Sequence, residues 1–180
     1  VLFAFHFYEP VGFTHQGLNY GAQGKVLRYL KDIPYPSAGT NLQVNYAPNA
    51  PDAAQAKPLV NEYALADWDA DHIRARLKQA DGWALAHHVR ILCTEFGARR
   101  PFVNAASRYR WIGDTRRALE SYGIGWDLWD YTDTFGIVKL KGDVITEPSD
   151  GSVHFANTDP DNNEDKRILD PEATQALFGP

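Results

Sequence analysis

The stretch Val89-Arg90-Ile91-Leu92-Cys93-Thr94-Glu95-Phe96-Gly97 decides the fold of this chain. Its apolar run is short, rich in branched residues and closed by a glycine, which predicts a buried strand that ends at Glu95. In parallel α/β folds the chemistry lies at the carboxyl ends of the strands. Glu95 is therefore a candidate catalytic carboxylate, and a solvated strand cap is the alternative reading of the same residue.

Strands and helices alternate on both sides of this stretch. Further strands are predicted over 1–8 and 124–131, and helices over 71–88, over 104–121 and after Asp170. Residues 9–60, rich in Pro, Gly, Asn and Gln, are predicted to form a long loop of the kind that is often functional. The alternation implies parallel strands joined by crossover helices. A chain that starts inside a strand is expected to have lost what preceded it.

Composition limits the classes of function. The chain has 180 residues, of which 44% are hydrophobic, enough for a single globular core. A formal charge of −5 leaves no basic stripe for nucleic acid. No apolar run approaches the roughly 18 to 20 residues that span a bilayer, so membrane insertion is not predicted. The single cysteine, Cys93, is expected to be a buried thiol.

No metal or cofactor is predicted. Three histidines lack the spacing of a ligand set and are expected to be solvated: His72, His87 and His88. A calcium-loop pattern is matched at four positions, by Asp159, Asp161, Asn163 and Asp170. Pro160 interrupts that pattern, and Glu164 stands where the loop needs glycine. Nucleotide-binding loops and the Gly-x-Ser-x-Gly elbow are lacking from the sequence.

The other predicted strands carry polar and aromatic side chains. His6 and Tyr8 are two residues apart and should share one face, with the phenylalanines between them directed toward the helices. A carboxylate on the neighbouring strand would satisfy both groups if they are buried, although a satisfied core pair is the alternative. Trp126 and Trp129 on the third strand suit the flat faces of sugars, but large aromatics are more often part of the core.

Four segments, in this order, resemble the last part of the catalytic domain of glycoside hydrolase family 5, the cellulase-like family. They are Phe5-His6-Phe7-Tyr8-Glu9-Pro10, Phe13-Thr14-His15-Gln16-Gly17, Thr94-Glu95-Phe96-Gly97 and Gly123-Ile124-Gly125-Trp126-Asp127-Leu128-Trp129-Asp130-Tyr131. The resemblance is close over residues 1 to 136 and looser over the final helix. It implies a (β/α)8 TIM barrel in which residues 1–180 are the C-terminal portion of one catalytic domain, with strands six to eight and their helices.

The resemblance also implies roles for individual residues. Glu95 matches the nucleophile, and His6 and Tyr8 match the pair that hydrogen-bonds it. Trp129 matches the tryptophan under the sugar that is cleaved, and Trp126 is the residue that a misalignment would confuse with it. The remaining candidates for substrate contact are Glu9 and His15.

The implied activity is that of a retaining hydrolase of β-linked polysaccharide, with endo-β-1,4-glucanase favoured and mannanase or xyloglucanase specificity left open. A carbohydrate-binding or structural barrel without catalysis is the other class. The family's acid/base glutamate belongs to an Asn-Glu motif on strand four, upstream of this chain, and Asn61-Glu62 lacks the strand that such a motif follows. The isolated fragment is therefore expected to be inactive. The full-length protein is expected to be a secreted or periplasmic monomer that needs no cofactor and acts on β-glucan.

Overall fold

The computed structural model describes residues 1–37, 53–131, 134–140 and 167–180, together with the backbone of three short strands. The strands are β1 (Leu2–Phe7), β2 (Leu30–Lys31), β3 (Asn45–Tyr46), β4 (Arg90–Phe96), β5 (Gly125–Leu128), β6 (Val138–Leu140), β7 (Ile145–Thr146), β8 (His154–Phe155) and β9 (Arg167–Leu169). The helices are α1 (Val11–Thr14), α2 (Gly21–Leu27), α3 (Lys57–Leu65), α4 (Ala70–Ala86), α5 (Ala105–Ser121) and α6 (Pro171–Phe178), and a 3₁₀ turn spans Ala53–Ala56.

Three strands form the central sheet, in the order β1-β4-β5, and all of them are parallel. Parallel neighbours need a crossover connection, and α4 and α5 supply the helices of the two crossovers. The other strands form two-stranded antiparallel pairs: β2 with β3, β6 with β9, and β7 with β8. The predicted α/β class with a parallel sheet is therefore confirmed.

The core lies between the sheet and α5. The indole of Trp111 on α5 is fully buried and stacks on Phe7 of β1, with ring centroids 6.2 Å apart. Phe96 of β4 contacts the same indole at 6.3 Å. Burying each such aromatic side chain contributes about 1.5–3 kcal/mol to the free energy of folding. Trp111 therefore stabilises the packing of α5 against β1 and β4.

Side-chain caps begin three helices, α4, α5 and α6. Asp69 accepts a hydrogen bond from the His72 amide at the start of α4, and Asn104 accepts one from the Ser107 amide at the start of α5. Asp170 accepts from the first amides of α6. Each carboxylate or amide oxygen satisfies a donor that the first turn of a helix leaves unpaired.

The prediction of one long loop over 9–60 is wrong for the part that the structure describes. Residues 9–37 contain α1, α2 and β2, and α3 begins before residue 60. The buried amide of Gln16 makes this segment compact, because its Oε1 accepts from the Ile33 amide while its Nε2 donates to the carbonyls of Phe13 and Ile33. A long-range contact of this kind leaves no periodic signal in the sequence.

An irregularity in β4 decides which way Glu95 points. Phe5 of β1 pairs with Cys93, and the next residue, His6, pairs with Glu95, so Thr94 is an extra residue in β4. Strict alternation would put Glu95 on the side of the buried Cys93. The extra residue reverses the alternation and turns Glu95 toward the face of His6, as bulges beside active sites commonly do.

The third strand is shorter than predicted, since regular pairing ends at Leu128 and not at Tyr131. The chain still follows the sheet for one more step, because the Trp129 amide donates to the Phe96 carbonyl at 2.9 Å. No helix in the described part of the chain is both long enough and apolar enough to cross a membrane.

Candidate active site

Glu95 lies at the carboxyl end of the sheet and is held by two side chains of the first strand and its continuation. The Tyr8 hydroxyl donates to Glu95 Oε2 at 2.9 Å, and His6 Nδ1 lies 3.3 Å from the same oxygen. The Glu95 side chain is about one quarter exposed, at 26%. Among the described residues, none donates a hydrogen bond to Oε1, so one carboxylate oxygen is anchored while the other is available.

The Tyr8 hydroxyl keeps its proton over the whole pH range in which proteins are usually studied. Burial, followed by the hydrogen bond to the Glu95 carboxylate, raises the pKa of Tyr8 above its ordinary value. A phenol that keeps its proton can only donate to a carboxylate, which accepts. The Tyr8 contact is therefore a hydrogen bond that the phenol donates to Glu95 Oε2.

The tautomer of His15 follows from its contact with Thr14. The Thr14 hydroxyl donates its only proton to the Tyr8 carbonyl, at 2.6 Å, because a carbonyl oxygen can only accept. Its 2.9 Å contact with His15 Nδ1 must then be a hydrogen bond donated by the imidazole. Burial, together with the positive charge of Arg99, lowers the pKa of His15 to about 4. Neutral His15 thus carries its proton on Nδ1 and leaves Nε2 as an acceptor.

Three aromatic rings, those of Tyr8, His15 and Phe135, form a cluster beside Glu95, here called the ring cluster. The centroids of Tyr8 and His15 are 5.0 Å apart, and Phe135 lies 5.7 Å from Tyr8 and 5.3 Å from His15. All three pairs meet edge to face, the arrangement that aromatic quadrupoles prefer. Phe135 is buried, so it forms the apolar wall behind the two polar rings.

Gly97 lets the chain after β5 approach the end of β4. A Cβ at this position would lie 2.3 Å from the Trp129 carbonyl oxygen and 3.1 Å from the Phe135 ring. Only glycine permits backbone to pack this closely. Gly97 therefore lets the Trp129 backbone and the Phe135 ring pack against the chain just after β4. The Trp129 side chain is half exposed, at 48%.

Two predicted substrate contacts are not brought to this group. Trp126 pairs with Cys93, packs edge to face on Phe96 at 5.6 Å, and donates from Nε1 to Glu120 on α5. The strand alternation thus directs Trp126 toward the helices, which corrects the expectation that it joins Glu95. The carboxylate of Glu9 is also engaged on the helix side, where Arg76 of α4 binds both its oxygens at 2.6 and 2.8 Å.

The remaining candidates are surface groups or structural caps. Asn61 and Glu62 lie exposed on α3, not at the end of a strand. His72 stacks on Trp68, which lies just before the cap of α4. His87 stacks on Trp83, near the end of the same helix. No cluster of three or more possible metal ligands occurs among the described residues. Three positions of the calcium pattern lie outside them, and the fourth, Asp170, caps α6.

Sequence reasoning missed three contributors to the site. Thr14 sets the tautomer of His15, Phe135 closes the ring cluster, and buried Arg108 of α5 donates to the Phe135 carbonyl. Thr14 lies inside the Phe13-Thr14-His15-Gln16-Gly17 segment, one of the four that carry the family resemblance. Its position beside the predicted substrate contact His15 could therefore have indicated its role. Phe135 and Arg108 are brought to the site from far along the chain, and local sequence carries no trace of that contact.

The chain and its fold match one class of protein in part, the cellulase-like endoglucanases of glycoside hydrolase family 5. No protein-family model matches the chain. The resemblance that the four segments carry is thereby confirmed at the level of this class.

Particular relatives give the extent of the match. Endoglucanase 3 of Fibrobacter succinogenes is 25% identical over 142 residues, which are 77% of this chain and 21% of the relative. Endoglucanase C of Acetivibrio thermocellus is 28% identical over 131 residues, 73% of this chain and 36% of the relative. The crystal structure of Thermotoga maritima Cel5A with cellobiose superposes with a TM-score of 0.56 at 18% identity, covering 97% of this chain and 38% of that one. The chain thus spans a fifth to two fifths of the length of these proteins.

Proposed function

We propose that this chain carries the nucleophile half of a retaining β-glycosidase site, with Glu95 as the nucleophile. The observation that supports it best is that the two Glu95 carboxylate oxygens differ in their contacts. Tyr8 and His6 approach Oε2, while Oε1 accepts no hydrogen bond from the described residues. A nucleophile needs an ionised carboxylate that is held in place and has one oxygen free to attack the anomeric carbon.

The mechanism is a double displacement. Glu95 Oε1 attacks the anomeric carbon as the leaving sugar oxygen takes a proton from a second carboxyl group about 5 Å away. The same second group, now a carboxylate, then takes a proton from a water molecule. That water attacks the anomeric carbon of the glycosyl ester, and Glu95 is released as a carboxylate. The Tyr8 and His6 contacts on Oε2 orient the attacking oxygen at both steps.

The second carboxyl group is proposed to lie upstream of this chain, in an Asn-Glu motif. Residues 1–180 would then supply strands six to eight of a (β/α)8 barrel, as the C-terminal portion of a single catalytic domain. Two observations support this placement: the parallel order β1-β4-β5 and the superposition on 38% of a cellulase structure. The polar ends of all three strands would then face the mouth of the barrel, where the βα loops of such enzymes form the active site.

The proposed substrate is a β-1,4-glucan. Both relatives are endoglucanases, and the Thermotoga maritima enzyme has been crystallised with cellobiose and also with mannotriose. Mannan therefore stands as the runner-up substrate. Trp129 would form the platform under the sugar, and neutral His15 would accept a hydroxyl proton at Nε2. A polymeric substrate outside the cell implies a secreted or periplasmic protein.

The test is to trap the covalent intermediate in the natural polypeptide that contains these residues. A 2-deoxy-2-fluoro cellobioside with an activated leaving group slows both steps but keeps the first faster than the second, so the glycosyl ester accumulates and peptide mapping locates it. We expect the label on Glu95 and none in Glu95→Gln. Glu62→Gln, which changes an exposed glutamate of α3, is the matched control and should label like the wild type. A label on any other residue would refute the assignment.

A carbohydrate-binding barrel without catalysis is the second candidate, and the half-exposed indole of Trp129 favours it as much as it favours an enzyme. Titration with cellohexaose separates the two. Quenching of fluorescence that is lost in Trp129→Ala, without any label on Glu95, would identify a binding protein. Labelling of Glu95 would identify the enzyme.

A further inference from the structure

The segment from Thr134 to Val138 is fastened in an unusual way, because five successive carbonyls each accept a hydrogen bond. The Arg100 amide donates to Thr134 and its guanidinium donates to Val138. Arg108 donates to Phe135 and Gly136, and the Asp170 amide donates to Ile137. Only Val138 of these residues belongs to a strand, so most of the segment is held by partners outside a sheet.

Arg108 is the centre of this arrangement. Its side chain is 1% exposed, and it donates from Nε to the Ala98 carbonyl at 2.7 Å and from Nη2 to Phe135 at 2.6 Å and Gly136 at 3.0 Å. Burial lowers the pKa of Arg108 to about 10, so it stays protonated at neutral pH. Its guanidinium forms no ion pair with a carboxylate within the described residues. The guanidinium also lies over the Tyr109 ring, 5.6 Å from its centroid. A buried cation without a paired carboxylate is costly, and the planar fork of arginine allows one side chain to join two loops through their carbonyls.

The two loops that Arg108 joins follow the two strands beside the candidate nucleophile. Ala98 comes three residues after Glu95 on the chain that leaves β4, and Phe135 follows β5. The Phe135 ring in turn packs on Tyr8 and His15. The connection therefore runs from Arg108 to the Phe135 backbone, from the Phe135 ring to Tyr8, and from the Tyr8 hydroxyl to Glu95.

We propose that Arg108 is a positioning residue of this site, which holds Phe135 as the wall of the ring cluster and thereby fixes Tyr8 against Glu95. It acts through Phe135 and touches no reacting atom. The inference rests on the proposed function only in calling the site catalytic, since the ring cluster and its fastening exist without substrate.

The experiment reads the ring cluster directly, by an NMR titration of the His15 imidazole in the natural polypeptide. In the wild type, His15 should titrate near pH 4, because Phe135 and Tyr8 keep water from the ring and Arg99 opposes its charge. In Arg108→Met the freed loop should admit water, and the midpoint should rise toward the ordinary 6.5 by at least about one unit. Arg108→Lys, which keeps the charge but has no planar fork, should give an intermediate value.

Two further variants keep the test decisive if Arg108→Met fails to fold. Arg110→Met removes an exposed arginine from the same helix and should titrate like the wild type. Phe135→Ala opens the wall while leaving Arg108 in place, and should raise the midpoint as Arg108→Met does. A His15 midpoint near 4 in folded Arg108→Met, or in Arg108→Lys, would overturn the proposal.

A second measurement distinguishes this inference from the proposed function. If Glu95 takes the fluoroglycoside label, Arg108→Met should label roughly 10-fold more slowly per folded molecule, because the carboxylate is less well oriented. Labelling at the wild-type rate would overturn the positioning role. A protein that takes no label at all refutes the proposed function, while the His15 titration still decides the role of Arg108.

Discussion

The Tyr8 hydroxyl donates a hydrogen bond to the Glu95 carboxylate, so the removal of that hydroxyl tests the contact directly. A hydrogen bond to a charged group contributes about 1.5–3 kcal/mol. Tyr8→Phe should therefore lower kcat of the natural polypeptide on soluble β-glucan roughly 10- to 100-fold. Tyr20→Phe, at an exposed tyrosine, should be silent. A kcat of Tyr8→Phe within twofold of the wild-type value would show that the Tyr8 contact does not contribute to catalysis.

Gly97 tests the close approach of the chain beyond β5. In Gly97→Ala the new Cβ would meet the Trp129 carbonyl at 2.3 Å, so backbone must move, at a cost of about 1–3 kcal/mol in the free energy of unfolding. Gly82→Ala is the matched control, because nothing lies within 4 Å of a Cβ there and alanine is the better helix former by about 1 kcal/mol. Urea unfolding should show losses at 97 and none at 82. Equal stability of the Gly97→Ala variant would contradict the packing.

At the scale of elements, α4 depends on its amino-terminal cap. Asp69 accepts from the His72 amide at 2.9 Å, and the loss of such a cap costs about 1 kcal/mol. Asp69→Ala should lower the free energy of unfolding by that amount in urea titrations. Asp71→Ala removes a first-turn charge but leaves the cap, so it should cost only a few tenths of a kcal/mol, the low end of the helix-dipole range. Equal effects of the two substitutions would mean that charge, and not capping, starts the helix.

The hydrophobic pattern of the sequence predicts some helices and strands of this chain correctly and misses others. The helices 70–86 and 105–121 were predictable to within two residues, because a cap and a 3.6-residue apolar period coincide. The segment 9–37 was not, because Gln16 organises it through contacts with Ile33 that have no period. The extra residue Thr94 was equally invisible, since a bulge exists only relative to the neighbouring strand.

At the scale of the whole molecule, the sheet leaves apolar surface on β1. Among the described residues β1 has a partner on one side only, and Leu2, Phe3 and the adjoining Trp83 of α4 are 43–56% exposed. An exposed apolar edge strand is a template for association. The isolated 180-residue chain is therefore expected to aggregate. If the acid/base group lies outside this chain, as we propose, the isolated chain should also be inactive.

Light scattering during refolding checks this expectation. Leu2→Lys should lower the rate of aggregation, because a lysine on an edge strand opposes pairing with a second chain. Leu85→Lys, at an equally exposed leucine on α4, should lower it much less. Turnover of soluble β-glucan by the isolated chain would contradict the need for a second carboxyl group from elsewhere.

The sequence by itself determined the α/β class, the strand that carries Glu95 near its carboxyl end, and the spacing of His6 and Tyr8 along the first strand, because these depend on local periodicity. Its motifs also carried the resemblance to the cellulase-like family. Tertiary structure alone decided that an extra residue in β4 turns Glu95 toward His6, that Trp126 turns to the helices, and that Phe135 and Arg108 complete the site. Each of these is set by contacts between segments far apart in the chain, whose geometry depends on register and packing, and not on the order of residues in any one segment.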